Sequence, residues 1–363
     1  MRITFILPTV NMSGGIRVVT IYAKALAEKG HEVVLISPPP PVIPARQKIK
    51  SLITGRGWPG RSQSNSHLDD LGLDHRVLDR CRPVTDRDAP DADIVIATWW
   101  ETAEWVNALS KSKGAKVYFI QHHEVHDNLP FERTSATYSL PLHKVVVAQW
   151  LQNVMRDEYG DTDVDLVPNS VDHKLFFSDV RGKQPVPTVG FLLSLSKFKG
   201  VDVTLEAILK LRISFPDLRV ISFGSGMPED FDFDDRIEFY CSPEQNKIRH
   251  LYAQCDVWLT ASRTEGFNLP AMEAMACYTP VVSTRAGWPE EAIVSGKNGI
   301  LVDVDDVDAF TQGAASVLSL SDAGWREMSQ NAYDTVSAST WEESAQKFED
   351  VLERVRRKSQ TPP

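Results

Sequence analysis

The alternation that begins at Arg2 limits the fold more than any other feature of the chain. "RITFILP" is a short apolar run with β-branched and aromatic residues, ends at Pro8, and reads as a buried parallel strand. After the loop "TVNMSGG", the segment "IRVVTIYAKALAEKG" places Val18, Ile21, Tyr22, Ala25 and Leu26 on one helical face, with Gly30 as the C-terminal stop. "HEVVLIS" is the next strand. Strand, glycine loop, helix and strand in that order predict an open, mostly parallel sheet.

The alternation is interrupted once. "PPPPVIPARQKIKSLITGRGWPGRSQSNS" is Pro-rich, then basic, with no acidic residue from Pro38 to Ser66, and it reads as an insertion. "ADIVIATWW", "AKVYFIQ" and "HKVVVA" resume the strands, and "VDLVPNSVD" ends the first half. The polar, Pro-containing "SDVRGKQPVP" reads as a linker. A second series follows, with "TVGFLLSL", "LRVISFG", "RIEFY", "DVWLTAS", "PVVST" and "GILVDV" as strands. "GVDVTLEAILKLRISF", "PEQNKIRHLYAQC", "NLPAMEAMAC" and the tail from Asp306 to about Arg357 read as helical. A chain of 363 residues exceeds one comfortable core, so two α/β domains are predicted, over 1–178 and 186–340. Two such halves leave a cleft, and ligands of open parallel sheets bind at the carboxyl ends of strands.

Charge and thiols exclude some classes. A formal net charge of −10 argues against general nucleic-acid binding. Cys81, Cys241, Cys255 and Cys277 form no C-x-x-C and read as reduced thiols of a cytoplasmic protein, most of them in the core. The apolar start is too short for a signal peptide or a membrane span, and no later run is long enough.

The richest stretch is "TEGFNLPAMEAMACYTPVVSTRAGWPEE". Pro270 suits the first turn of a helix, with Glu265 in the loop before it and Glu273 about one turn in. A carboxylate near a helix N-terminus is electrostatically comfortable and can accept two vicinal sugar hydroxyls, while the N–H groups of Asn268 to Ala271 could hold a diphosphate. The alternative is that both glutamates are ordinary N-terminal helix charges.

This stretch resembles the signature of glycosyltransferase family 4, retaining nucleotide-sugar transferases of the GT-B fold. The likeness extends to "GGIRVVTIYAKALAEKGHEVVLIS", "LVPNSVDHKLF" and "KGVDVTLEA". It implies two Rossmann-like domains with parallel sheets facing across a cleft, acceptor on the N-terminal one and nucleotide sugar on the C-terminal one. A last helix, about 341–357, would pack back on the first domain. By the same resemblance Glu273 holds the ribose hydroxyls and Glu265 approaches the donor sugar. Gly266, Phe267, Asn268 and Leu269 border the diphosphate and sugar, with backbone N–H groups offered from the last three. Lys199, helped by Lys197 or Arg263, neutralises the leaving phosphates. Gly14 and Gly15 let the N-terminal loop close on the diphosphate. His122, or else His123, faces donor and acceptor. Three positions depart from the family pattern: Ser194 stands where an arginine is expected, and Tyr278 and Ser170 where glycines are.

His122, His123, Glu124 and His126 could form a metal cluster, but the spacing is H-E-x-H rather than H-E-x-x-H. Asp303 with Asp305 and Asp232 with Asp234 read as solvated charges, so no metal or other cofactor is expected. Trp99, Trp100 and His123 are candidates for the acceptor side, with core packing as the alternative for one tryptophan. Residues 45–61 mix Arg46, Lys48, Lys50, Arg56 and Arg61 with Ile49, Leu52, Ile53 and Trp58, which suits peripheral contact with an anionic inner membrane face or an anionic acceptor, with a basic loop that has no partner as the equal alternative.

The expected function is retaining, metal-independent transfer of a sugar from a UDP-, GDP- or dTDP-linked donor to a glycan, lipid-linked or small-molecule acceptor, in polysaccharide or glycoconjugate synthesis. The alternatives are a sugar-nucleotide epimerase, a phosphorylase, or a non-catalytic sugar-nucleotide-binding subunit.

Overall fold

Buried apolar runs become parallel strands throughout. The computed structural model describes residues 1–40, 67–68, 72–126, 129–226 and 234–360. The chain divides into two units, one of Met1–Val147, Leu151–Val167 and Ala345–Pro363, the other of Ala148–Trp150 and Pro168–Ser344. The basic stretch at 45–61 and Asp232 lie outside the described residues.

The first unit holds a seven-stranded sheet of β1 (Arg2–Ile6), β2 (Glu32–Ser37), β3 (Asp74–Val77), β4 (Ile94–Ala97), β5 (Ala115–Ile120), β6 (His143–Val146) and β7 (Val164–Leu166), in the order β3-β2-β1-β4-β5-β6-β7. Every pair is parallel; Ile3, for example, lies between Val33 and Ile94. Strands covered on both faces need continuous apolar side chains, and β1, β2, β4 and β5 have them. The edge strand β3, "DHRV", is mostly exposed and is held by backbone pairing to β2, so it has no hydrophobic signal to read. Helices Trp100–Ala108, Phe131–Thr137 and Gln149–Tyr159 are likewise absent from the sequence reading, each a short connection between strands.

The helix Gly14–Glu28 begins where the Ser13 hydroxyl accepts the Ile16 N–H, and it buries Val18, Tyr22 and Leu26. The last helix, Trp341–Gln360, returns to this unit. Phe348 is fully buried, with its ring 4.8 Å from that of Tyr22 and 5.1 Å from that of Phe119. Glu349 accepts from Lys29 at 2.8 Å and lies 2.7 Å from the His31 ring. Each aromatic pair contributes about 0.5–1.5 kcal/mol beyond area burial. Phe348→Leu is therefore expected to destabilise this unit by about 1–2 kcal/mol in urea titrations. An unchanged midpoint would deny the helix its anchoring role.

The second unit holds a six-stranded parallel sheet of β8 (Thr188–Leu192), β9 (Arg219–Gly224), β10 (Ile237–Cys241), β11 (Val257–Thr260), β12 (Val281–Thr284) and β13 (Gly299–Val302), in the order β10-β9-β8-β11-β12-β13. Val189, Phe191, Val220, Val257, Leu259 and Val282 meet Phe310, Val317 and Trp325 of the covering helices in one core. The predicted helical tail is three helices, Val307–Leu318, Asp322–Val336 and Trp341–Gln360.

In each sheet the strand order reverses once, between β1 and β4 and between β8 and β11. Connections on either side of such a reversal leave the sheet in opposite directions and open a crevice beyond the strand ends. The loops after β1, β4, β8 and β11 are thereby singled out by topology. Two cysteines are buried, Cys255 and Cys277, and two are exposed, Cys81 and Cys241, so the expectation that most sit in the core holds for half of them.

Candidate functional site

The reversal in the second sheet brings two loops together. After β8 the chain makes a tight turn at Lys197–Lys199 and enters the helix Val201–Ser214 through Gly200. Gly200 has φ +58°, and a Cβ there would lie 1.9 Å from the Ala261 carbonyl oxygen. Only glycine lets this turn sit so close to the end of β11. Arg263 N–H donates to the Phe198 carbonyl at 2.7 Å and ties the two loops further.

Lys199 and Glu265 meet there. Lys199 Nζ donates to both oxygens of Glu265, at 2.7 and 2.8 Å, and the Ser262 hydroxyl donates to Glu265 Oε1 at 2.7 Å. Glu265 is 6% exposed, so a buried carboxylate here needs its cation and its hydroxyl donor. Ser262 is itself held, because its carbonyl accepts from the Thr284 hydroxyl of β12. Gly287, φ +73°, passes where a Cβ would be 2.8 Å from Glu265 Cβ, which fixes the far side of the loop. The Phe267 ring stacks on Trp288 at 5.6 Å, and the Phe267 carbonyl accepts the Trp288 N–H at 2.9 Å.

The helix Leu269–Ala276 follows, with Pro270 in its first turn as its sequence predicts. Asn268 caps it in the left-handed conformation, φ 78°, while its side-chain amide donates to Thr260 Oγ1 at 2.9 Å. A small pocket is lined by Lys199, Thr260, Ser262, Glu265, Asn268 and Pro270, together with neighbouring strand residues. Glu273 is 5% exposed, does not line that pocket, and accepts the Tyr252 hydroxyl at 3.0 Å. Gly266 and Leu269 flank Phe267 and Asn268 in the same loop and helix start.

The candidate cations differ in what already engages them. Arg263 donates to Asp202, Asp305 and the Lys197 carbonyl, so its guanidinium braces the loops of this unit rather than standing open to phosphate. Lys197 is exposed. Asp303 is exposed beside Arg285, as a solvated charge would be, whereas Asp234 is partly buried between Arg212 and Arg236.

In the first unit the candidates follow β1, β4 and β5. Gly14 and Gly15 open the first helix; a Cβ at Gly14 meets nothing within 4 Å and one at Gly15 touches only the Gln121 side chain at 3.7 Å. The folded unit therefore does not itself demand glycine at either position. Trp99 is half-buried, whereas Trp100 is 4% exposed beneath the Arg133 guanidinium, which is 4.8 Å from its ring. Trp100 is a core residue, which removes it from the acceptor-side candidates: its position at the helix start turns the ring inward.

His122 Nδ1 lies 2.8 Å from the His123 carbonyl, and His123 Nε2 is 2.8 Å from the Tyr159 hydroxyl. Burial lowers the His123 pKa, and its ring packs 5.2 Å from Tyr138, so its imidazole is committed to the interior of this unit. Glu124 is 3% exposed and accepts the Trp100 N–H at 2.8 Å. Among the described residues no three His, Cys, Asp or Glu side chains converge as metal ligands.

Burial pushes the Glu124 carboxyl well above its ordinary value of 4.5, opposed by the Trp100 N–H and the Tyr118 hydroxyl. The titratable groups facing it are the phenols of Tyr118 and Tyr138. A carboxyl with a raised folded pKa stabilises the fold below the unfolded value, and that stability is lost as pH rises toward the folded value. Glu124→Gln is expected to melt with wild type at pH 4 and above it at pH 8. Equal melting temperatures at both would show the carboxyl to be ionised in the fold.

Sequence comparisons bear on the family and structure comparisons on the fold. Residues 12–175 match the family model Glycosyltransferase Family 4, and residues 186–319 match Glycosyl transferases group 1. The D-inositol 3-phosphate glycosyltransferase of Corynebacterium urealyticum is 30% identical over 178 residues, 45% of this chain and 42% of that protein. The GDP-mannose-dependent alpha-(1-6)-phosphatidylinositol monomannoside mannosyltransferase of Mycolicibacterium smegmatis is 30% identical over 148 residues, 37% of this chain and 39% of that protein. The match thus spans less than half the length of these curated relatives. The sucrose-phosphate synthase of Thermosynechococcus elongatus superposes with a TM-score of 0.74 at 16% identity, covering 99% of this chain and 100% of that one. HepE of Anabaena, solved with UDP-glucose, gives 0.73 at 16% identity, covering 98% and 100%. Likeness at that identity shows the fold, which is GT-B, with two Rossmann-like α/β domains. Matched by family models in both halves, the chain belongs to the group 1 glycosyltransferases of glycosyltransferase family 4.

Proposed function

We propose that this protein is a retaining, metal-independent glycosyltransferase that moves a sugar from a nucleotide-sugar donor to a hydroxyl of a glycan, lipid-linked or small-molecule acceptor. The observation that carries the reading is the Lys199–Glu265 pair, seated with Asn268 where the strand order of the second sheet reverses. A nucleotide sugar has two chemically distinct ends, a diphosphate and a polyol, and this pair offers one group to each. When a donor enters, its hydroxyls replace the lysine as donors to Glu265, and Lys199 turns to the diphosphate. Negative charge grows on the leaving phosphate as the anomeric bond breaks, and a nearby ammonium stabilises it without a metal. The Leu269 N-terminus adds N–H groups to the same phosphates, and Glu273 takes the ribose hydroxyls. His122 serves the donor sugar. The UDP-glucose complex of HepE supports a nucleoside-diphosphate sugar as the donor class.

The test is release of nucleoside diphosphate from a panel of UDP-, GDP- and dTDP-sugars, with and without polyol and lipid-linked acceptors, in EDTA. Turnover of one donor class, unaffected by the chelator, is expected. Turnover lost in EDTA and restored by magnesium or manganese contradicts metal independence. Tight binding with no release for any donor would favour a non-catalytic sugar-nucleotide-binding role, the reading that Ser194 at the arginine position favours.

A further inference from the structure

Beyond the donor site, the loop after β5 carries a buried carboxyl that the proposed reaction does not use. Glu124 Oε2 accepts the N–H of Trp100, the first residue of the helix Trp100–Ala108. Glu124 N–H donates to the Tyr138 hydroxyl at 2.7 Å, and that hydroxyl donates to the His122 carbonyl at 3.3 Å. Tyr138 is fully buried and stacks on Tyr118 at 5.7 Å, so the phenol cannot drift. Both the side chain and the amide of Glu124 are therefore fixed to elements outside its own loop. The preceding residue pair is fixed in turn. A carbonyl oxygen only accepts, so the contact between His122 Nδ1 and the His123 carbonyl at 2.8 Å requires the proton on Nδ1. In the neutral ring the lone pair is then on Nε2.

We propose that Glu124 is a positioning residue for His122: with Tyr138 and the Trp100 amide it holds the His122–His123 turn in the one shape that keeps His122 protonated at Nδ1. This rests on the assignment of His122 to the donor sugar made above. The raised Glu124 pKa supports it, because a neutral carboxyl can sit at the Trp100 amide among two buried phenols without a counter-charge. Glutamine is the conservative replacement, since it keeps an acceptor oxygen there. Leucine fills the space and removes the acceptor. Tyr138→Phe removes the bridging hydroxyl and leaves the ring in place.

Nitrogen-15 imidazole spectra of the full chain test this directly, with the His122 resonances assigned by loss in His122→Gln. Wild type and Glu124→Gln are expected to show the Nδ1–H tautomer. Glu124→Leu and Tyr138→Phe are expected to show averaged tautomers, and a fall in kcat of about tenfold with donor KM moved less than about threefold. Glu124→Gln should rescue both readings, which a loss of general packing would not predict. Averaged tautomers in wild type, or an unshifted Nδ1–H tautomer in folded Tyr138→Phe, overturns the proposal. The spectra do not depend on turnover. A wild type inactive with every donor would defeat the proposed function while leaving this inference to its own result.

Discussion

Lys199→Ala is expected to lower turnover by about 10²–10³, more than it weakens ground-state donor binding. Single preorganised groups aimed at developing charge contribute on that scale. An interaction that strengthens as charge builds on the leaving oxygen acts on kcat more than on binding. The pairing seen in the site adds a condition. Lys199 is the cation beside a Glu265 that is 6% exposed, so its removal leaves a buried carboxylate without its partner. Breaking such a pair costs about 3–5 kcal/mol when the remaining charge is fully buried. Lys199 is 22% exposed, and water at that edge reduces the cost. Lys199→Ala with Glu265→Gln tests the stability part alone: the second change relieves the stability loss, whereas turnover stays low because Glu265 also receives the donor hydroxyls. Ser194→Arg is the complementary variant, placing a guanidinium where the family pattern has one, and partial rescue of Lys199→Ala is expected. Near-native turnover in Lys199→Ala would transfer the role to Lys197, since Arg263 is engaged by Asp202 and Asp305.

Glu273→Ala is expected to weaken nucleotide-sugar binding by about 2–4 kcal/mol, the scale of two charge-assisted hydrogen bonds. Its environment also makes alanine a structural change. The Tyr252 hydroxyl donates to Glu273 Oε2 in a fully buried position, and an orphaned donor there costs about 1–3 kcal/mol. Glu273→Gln keeps an acceptor for Tyr252 while removing the charge. Calorimetric titration should show weakened binding in both variants, with a lower melting temperature chiefly in alanine. Unchanged affinity in a folded Glu273→Gln variant would remove Glu273 from the donor site.

Most of the architecture is legible in the sequence because two-sided burial demands continuous apolar strands. β1, β2, β4, β5 and β8 carry that signal in four to six residues each. β3 carries none, since an edge strand with exposed side chains is specified by backbone pairing. The positions of Lys199, Glu265 and Glu273 are legible only through the family resemblance. Spacing alone leaves Glu265 and Glu273 open to a reading as ordinary helix charges. The supports of the site are not legible. Ser262 sits three residues before Glu265, but nothing local says that its hydroxyl turns to that carboxylate. Tyr252, Thr284 and Gly287 reach the site from a helix, a strand and a loop elsewhere in the unit, and a contact set by topology leaves no periodic trace. Trp99 and Trp100 show the same limit, since adjacent identical residues part only when the helix start turns one ring inward.

The central claim is that the loops after β8 and β11 hold the two ends of a sugar nucleotide. Its most direct measurement is a crystal structure of the protein with the nucleoside diphosphate of whichever donor turns over. The account predicts density for the diphosphate between Lys199 Nζ and the Leu269 N-terminus, with the ribose hydroxyls on Glu273 and Lys199 drawn off Glu265. A nucleotide bound elsewhere, with the Lys199–Glu265 pair intact, would contradict it.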